Sequence, residues 1–228
     1  MDVELIFHYL PLLLLGLKVT VYSCLGALII GLVFGVFIYQ LSKSRYAMLR
    51  YVYHGYLTIF RGTPLLVQVY LLYYGGPMFG LNLEAVEVGI LGMGFYVSAY
   101  FAEIYRAGFN SIPKGQIESA YDLGFSKFQI LLHIQLPQML GLIVPPITNQ
   151  SIILIKESAI LSIITVPEIT TAAVKMATET FSVVEPYILL ALAYWVITYS
   201  VGKSGQWIET KTTKYLTVNQ IKQERAFV

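Results

Sequence analysis

The chain has 228 residues, of which 57% are hydrophobic and 12% are charged, and its formal net charge at pH 7 is +2. Soluble domains carry about 25% charged residues, so this composition excludes a single soluble core and indicates a protein that needs lipid as its solvent. The small net charge gives no reason to expect a nucleic-acid partner. Because Cys24 is the only cysteine, an internal disulfide is excluded as well.

Five charge-poor apolar segments are candidate membrane spans, since a helix needs about 20 residues to cross the hydrocarbon core. The N-terminus Met1-Asp2-Val3-Glu4 is acidic where a secretory signal would be basic, so we expect the first span to be retained. The predicted fold class is therefore an all-α membrane protein with about five spans in one domain, residues 1–228. The segments are 19–42, 62–83 (extended upstream by 51–60), 88–102, 134–155 and 186–202.

Lysine and arginine gather in alternate connecting segments. The segments after the first, third and fifth spans hold eleven of the fifteen basic residues, whereas the others are mostly acidic. Because basic loops stay on the cytoplasmic side, the sequence predicts the N-terminus outside and the C-terminus in the cytoplasm. The basic residues of these three segments are Lys43, Arg45, Arg50, Arg106, Lys114, Lys127, Lys203, Lys211, Lys214, Lys222 and Arg225.

Prolines fall inside two of the predicted spans, Pro64 in the second and Pro145-Pro146 in the fourth. Proline removes a backbone donor and kinks or breaks a helix. Within a membrane this is tolerated where protein or a water-lined cavity satisfies the freed groups. We therefore expect interrupted helices here, with a kink of no functional role as the alternative. Residues 159–166 are too short to span and are expected to be re-entrant or interfacial.

Gly31 and Gly35 form a GxxxG pattern in the first span. Small residues at this spacing allow helices to approach closely. The pattern is compatible with packing inside the subunit and equally with dimerisation.

The longest predicted cytoplasmic loop, 113–137, has the features of a short projecting helix. Pro113 suits a first helical turn, Glu118 and Asp122 share one face at i,i+4, and Gly124 would end the helix. Leu123 and Phe125 add apolar surface beside this turn. Plain connectors in compact membrane proteins are usually shorter and less patterned, so this loop is predicted to be a knob with a function.

The run Glu118-Ser-Ala-Tyr-Asp-Leu-Gly124, followed by Ile134-Gln-Leu-Pro137, resembles the EAA loop of permease subunits of bacterial ABC importers. Ser119 replaces the usual alanine and is a small-for-small change. Four further segments resemble the histidine/glutamine-type branch that imports polar amino acids, and the resemblance extends over about 16–209. These segments are 60–68, 102–108, 111–116 and 156–162.

This resemblance implies the transmembrane domain of a type I ABC importer in the bacterial inner membrane. It implies as partners two cytoplasmic ATPase subunits that bind ATP and Mg, a second permease copy (identical or a paralogue), an external binding protein and an amino-acid substrate. The chain itself would be no enzyme, since Gly202-Lys203-Ser204 lacks the glycine that a phosphate loop needs at position 197. The residues implied in ATPase coupling are Glu118, Ser119, Ala120, Asp122, Leu123 and Gly124.

Charged residues inside spans are costly and usually functional. Arg61 and Glu103 are expected either to pair structurally or, for Arg61, to snorkel or line a gate. A zwitterionic substrate needs donors for its carboxylate and acceptors for its ammonium group, so polar residues of the spans are candidates, with interhelical hydrogen bonding as the alternative. The candidate substrate-binding residues are Gln150, Asn149, Lys156, Tyr96, Ser98, Tyr100 and Arg61.

This candidate cluster contains no carboxylate unless Glu157 or Glu103 turns inward, which favours a neutral polar amino acid over a cationic one. No residues have the spacing of a metal site. A stand-alone secondary transporter or channel is the main alternative function, but it predicts an internal repeat that the sequence does not show. An intramembrane enzyme is a third possibility, yet Asp2 and Asp122 are the only aspartates and both lie outside the spans.

Overall fold

The computed structural model describes residues 3–213, with side chains from residue 6 onward. Every regular element within these residues is helical, which confirms the predicted all-α class. The predicted cytoplasmic residues Lys214, Lys222 and Arg225 lie outside the described residues. The helices are α1 Val3–Ser42, α2 Ala47–Gly62, α3 Leu65–Phe79, α4 Ala85–Asn110, α5 Lys114–Asp122, α6 Lys127–Ile164, α7 Ile169–Thr180 and α8 Val184–Thr212.

Four of these helices, α1, α4, α6 and α8, are long and apolar enough to cross a membrane. Each is longer than its predicted span, because a single charge such as Lys18 does not end a helix. The predicted second span, 62–83, needs correction. It is divided into α2 and the shorter apolar helix α3, which are separated at Thr63-Pro64.

The two proline sites behave differently. At Pro64 the predicted interruption is confirmed: Thr63 is extended (φ −120°, ψ 145°), as expected for a residue that precedes proline. At Pro145-Pro146 the predicted interruption is wrong, since the α-helical stretch Leu136–Glu157 runs through both residues. Neither proline can donate a hydrogen bond to the carbonyl four residues earlier, but the helix continues on both sides.

Residues 159–166 do not form a separate membrane segment. They belong largely to a 3₁₀ turn, Ser158–Ile164, that extends α6 and buries Leu161 and Ile164. Leu161 packs where Gly89 of α4 leaves room for it, since a Cβ at Gly89 would lie 3.0 Å from the leucine methyl groups. The turn is therefore part of the protein core.

The main packing surface joins α1 to α4. A Cβ at Gly35 would lie 2.9 Å from Phe101 Cβ, and a Cβ at Gly94 would lie 2.7 Å from Ile30 Cγ2. Gly31 likewise faces Val97 and Phe101. The GxxxG pattern thus brings α1 against α4 within one chain, which resolves the choice that the sequence left open.

Glu168, in the segment that connects α6 to α7, is fully buried. Its Oε1 accepts a hydrogen bond from the Thr171 N–H (2.9 Å) and so caps α7. Its Oε2 accepts hydrogen bonds from the hydroxyls of Thr20 in α1 and Tyr194 in α8, both at 3.4 Å. One carboxylate therefore links three helices. The sequence contains no local signal for this contact, because its partners lie 148 and 26 residues away.

Candidate functional site

The predicted coupling segment is a short helix with well-defined ends. α5 begins after Pro113 and stops at a glycine with positive φ, Gly124 (φ +82°). The Phe125 N–H donates to Ala120 O (3.0 Å) and the Gly124 N–H donates to Tyr121 O (2.9 Å). These two bonds form a Schellman motif, which satisfies carbonyls that the helix end leaves without donors.

The helix that follows is also capped. Ser126 Oγ accepts from the Gln129 N–H (3.3 Å), and the Gln129 side chain accepts from the Ser126 N–H (2.8 Å), which is a capping box. Gln138 Nε2 donates to Gln116 Oε1 (2.7 Å) and ties α5 to α6. Because the end of α5, the start of α6 and the contact between the two helices are held by hydrogen bonds, we expect α5 to behave as a rigid knob. The second half of 113–137 belongs to α6.

The knob presents most of the predicted coupling residues to solvent. Glu118, Ser119, Asp122, Leu123 and Gly124 are exposed. Ala120 is the exception: it is 4% exposed and supports the knob from inside. An apolar patch, here called the docking tip, covers the end of the knob. The docking tip consists of the exposed side chains Tyr121, Leu123, Phe125 and Phe128.

A second group of candidate residues surrounds Glu103 of α4. Arg106 donates from Nε (2.8 Å) and Nη2 (3.0 Å) to the two carboxylate oxygens. Arg61, near the end of α2, pairs with the same carboxylate at 3.6 Å, and the Tyr53 hydroxyl donates to it. We call Tyr53, Arg61, Glu103 and Arg106 the charge cluster. The structure therefore realises the predicted Arg61–Glu103 pair.

The sequence reasoning missed the other two members of the charge cluster. Arg106 was predictable, because it lies three residues after Glu103 on the same helical face. Tyr53 was not, because it lies 50 residues from Glu103 and no local sequence pattern links the two. The charge cluster lines a cavity of about 550 Å³ between the end of α1, α2 and α4, together with Lys43 and His54. Three cations thus face one carboxylate at this cavity.

Three of the predicted substrate-binding residues form a continuous row. The Arg61 guanidinium lies 5.3 Å from the centre of the Tyr100 ring, and the Tyr100 hydroxyl is 3.2 Å from that of Tyr96. The structure does not bring Ser98 to this row. Ser98 is fully buried, donates to Phe95 O (2.7 Å) and hydrogen-bonds the Tyr56 hydroxyl (2.7 Å), so it joins α4 to α2.

The predicted residues of α6 lie on a helix that packs against α4. Gly108 of α4 contacts Ile143 of α6, and Pro146 lines a cavity of about 390 Å³ with Glu103. Gln150 is half-buried and lies one helical turn beyond Pro146, on the same face. Asn149 and Lys156 are exposed.

Glu157 carries an unsatisfied acceptor. Its Oε2 is buried and has no hydrogen-bond partner among the described residues. The sequence left open whether this carboxylate turns inward, and the structure buries one of its two oxygens within the chain. No group of three or more His, Cys, Asp or Glu side chains in the described part of the chain could hold a metal ion.

Comparison with known proteins decides the family. Residues 27–214 match the family described as "Binding-protein-dependent transport system inner membrane component". The chain belongs to this family. This chain is 34% identical to the probable amino-acid ABC transporter permease protein YckA of Bacillus subtilis (strain 168). The alignment covers 94% of this chain and 95% of YckA. The chain is 31% identical over 94% of its length to the probable glutamine ABC transporter permease protein GlnM of the same strain, 99% of which is covered.

A solved structure confirms the fold of this inner-membrane component. A chain in the crystal structure of an amino acid ABC transporter with histidines has 34% sequence identity and a TM-score of 0.84, covering 92% of this chain and 99% of that chain. The prediction of a type I ABC importer transmembrane domain is therefore confirmed. The apolar helices and the family together make the chain an inner-membrane transport component.

Proposed function

We propose that this chain is the permease subunit of an ATP-driven importer that moves polar amino acids into the cytoplasm by alternating access. The observation that carries the proposal is the coupling segment, a rigid and exposed knob with an apolar docking tip between two long apolar helices. A stand-alone transporter has no use for such a knob. The relatives named as amino-acid and glutamine permeases support the substrate class.

In this proposal the knob binds in a groove of the ATPase subunit. The two ATPase subunits hold ATP and Mg, and their closure moves α5. Because α5 lies between α4 and α6 in the chain, these two helices move with it. Only a rigid element can convert that movement into rocking of the spans. A second permease copy completes the pore, a binding protein delivers the substrate from outside, and the C-terminus faces the cytoplasm with the N-terminus outside.

The proposed substrate pathway runs along the row Arg61, Tyr100 and Tyr96, with Gln150 and Glu157 opposite. The Arg61 guanidinium attracts a substrate carboxylate, and the unpaired Glu157 oxygen accepts from a substrate ammonium group. Asn149 and Lys156 are further candidates on α6, while Ser98 supports the packing of α4. A Glu157 carboxylate placed on this pathway would also accept from a cationic side chain, so the proposal extends to cationic amino acids.

The proposal is tested by reconstitution. The chain is expected to co-purify with a cytoplasmic ATPase subunit, and proteoliposomes that contain the complex are expected to take up amino acids only with ATP and the binding protein. Uptake that is independent of ATP, together with no ATPase association, would support the stand-alone transporter instead. A panel of amino acids in the same assay would identify the substrate.

Gln150→Ala is expected to raise the KM for uptake by about 3–10-fold, the effect of losing one hydrogen bond to the substrate. The measurement is initial uptake at a series of substrate concentrations. Gln206→Ala, an exposed glutamine of α8, is the matched control and should leave the KM unchanged. If both variants behave like the unsubstituted protein toward several amino acids, α6 does not line the pathway at Gln150.

A further inference from the structure

The division between α2 and α3 leaves a specific backbone acceptor without its usual donor. In a continuous helix the carbonyl of Phe60 would accept from the N–H of residue 64, but residue 64 is proline and has none. The preceding carbonyl, Ile59 O, is satisfied by the Thr63 N–H (3.1 Å) and by Thr63 Oγ1 (2.8 Å). Phe60 O therefore depends on a donor from elsewhere, since an unsatisfied carbonyl is costly within a membrane.

Gln68 of α3 supplies that donor. Its Nε2 lies 3.0 Å from Phe60 O, 3.1 Å from Thr63 O and 2.8 Å from Thr63 Oγ1. Side chains of a helix tilt toward its N-terminus, so a long amide one turn into α3 reaches back across Pro64. The side-chain amide of Gln68 thus donates to Phe60 O in place of the backbone N–H that Pro64 lacks.

The orientation of this amide is determined by its surroundings. Its Nε2 side faces three oxygen atoms, which can accept but, apart from the Thr63 hydroxyl, cannot donate. The amide oxygen, Oε1, is buried and has no hydrogen-bond partner among the described residues. A flipped amide would place oxygen against oxygen, so only one orientation is favourable.

We propose that Gln68 is a positioning residue that holds the divided span in shape and thereby determines where Arg61 lies. Arg61 is in the last turn of α2, directly before the division, and reaches both Glu103 and the Tyr100 ring from there. Straightening the chain at 63–64 would redirect this turn. This inference rests on the proposed function, because it assigns Arg61 to the substrate pathway.

The first test compares Gln68→Met, which keeps the length of the side chain but removes both donors, with Gln206→Met on the exposed face of α8. For Gln68→Met we expect the melting temperature of the full-length chain in detergent to fall by roughly 2–6 °C. ATP-driven uptake should fall at least ~10-fold through misplacement of Arg61. Gln206→Met should change neither. Gln68→Glu, which sets carboxylate oxygens against the carbonyls, should be at least as defective as Gln68→Met.

The second test restores the missing N–H. In the double variant Pro64→Ala with Gln68→Met, residue 64 can again donate to Phe60 O, so the melting temperature should return toward that of the unsubstituted chain. Uptake should stay low, because the span is no longer divided. A double variant that melts as low as Gln68→Met alone, or that recovers uptake together with stability, would overturn the inference.

The outcomes separate this inference from the proposed function. If the unsubstituted complex shows no ATP-driven uptake, the proposed function fails, yet recovery of the melting temperature in the double variant still demonstrates the backbone role of Gln68. If Gln68→Met alters only the KM and leaves the melting temperature unchanged, Gln68 contacts substrate and does not position the helix, which overturns the inference.

Discussion

Glu103→Ala is expected to reduce ATP-driven uptake at least ~10-fold, because it leaves Arg61 and Arg106 without their shared carboxylate beside the proposed pathway. The Glu103 side chain is 25% exposed. The free energy of unfolding should therefore fall by roughly 2 kcal/mol, which is less than the ~3–5 kcal/mol that follows loss of one partner of a fully buried pair. Initial uptake rates and chemical unfolding in detergent measure the two effects.

Two further variants make the Glu103 experiment specific. Glu103→Gln keeps the volume and can still accept a hydrogen bond, so it should be intermediate in both measurements. Glu179→Gln removes an exposed carboxylate that pairs with Lys175 at 3.9 Å on the protein surface, and it should have little effect. Equal behaviour of Glu103→Ala and Glu179→Gln would show that the charge cluster serves neither transport nor stability.

Gly124→Ala is expected to weaken association with the ATPase subunit by about 5–30-fold, since a left-handed conformation costs a residue with a Cβ roughly 1–2 kcal/mol. Gly124 has φ +82° and directs the chain from α5 into the docking tip. Membrane insertion should be unchanged, because the turn is exposed. Titration of the ATPase subunit against permease in nanodiscs measures the affinity.

The same coupling segment provides the controls for Gly124. Gly115→Ala lies in α5, where an added Cβ meets no atom within 4 Å, and should bind the ATPase subunit normally. Gly124→Asn should recover part of the affinity, because asparagine tolerates the left-handed region better than alanine. Unimpaired binding by Gly124→Ala would mean that the Schellman turn does not shape the docking surface.

The coupling segment was predictable because its determinants are local. Proline before a helix, glycine after it and the capping serine act on backbone groups within a few residues, so the sequence pattern alone predicts a helix, a turn and a second helix. The division at Pro64 is local in the same sense. Pro145-Pro146 was not predictable in this way, since a long helix can continue through prolines when its neighbours support it.

The sequence did not predict which side chains of a span face the candidate site and which face a neighbouring helix. Tyr96, Ser98 and Tyr100 lie close together in the sequence, yet Tyr96 and Tyr100 belong to the row beside Arg61 while Ser98 is buried against α2. In a soluble helix, hydrophobic periodicity distinguishes such faces. In a membrane both the lipid side and the protein core are apolar, so this periodicity carries little information.

By its composition and local motifs, the sequence alone determined that this protein is a helical membrane component with a short helix that ends at Gly124. It predicted interruptions at Pro64 and at Pro145-Pro146 alike, and only the structure distinguished the two sites. Apolar length and turn chemistry act over a few residues to a few turns, so they can be read along the chain. Only the tertiary structure decided that Glu103 pairs with Arg61 and Arg106, that one Glu157 oxygen is buried and that the Gln68 amide donates to the backbone across Pro64. Such contacts depend on which helix faces meet, and packing among apolar surfaces selects those faces only once the whole chain has folded.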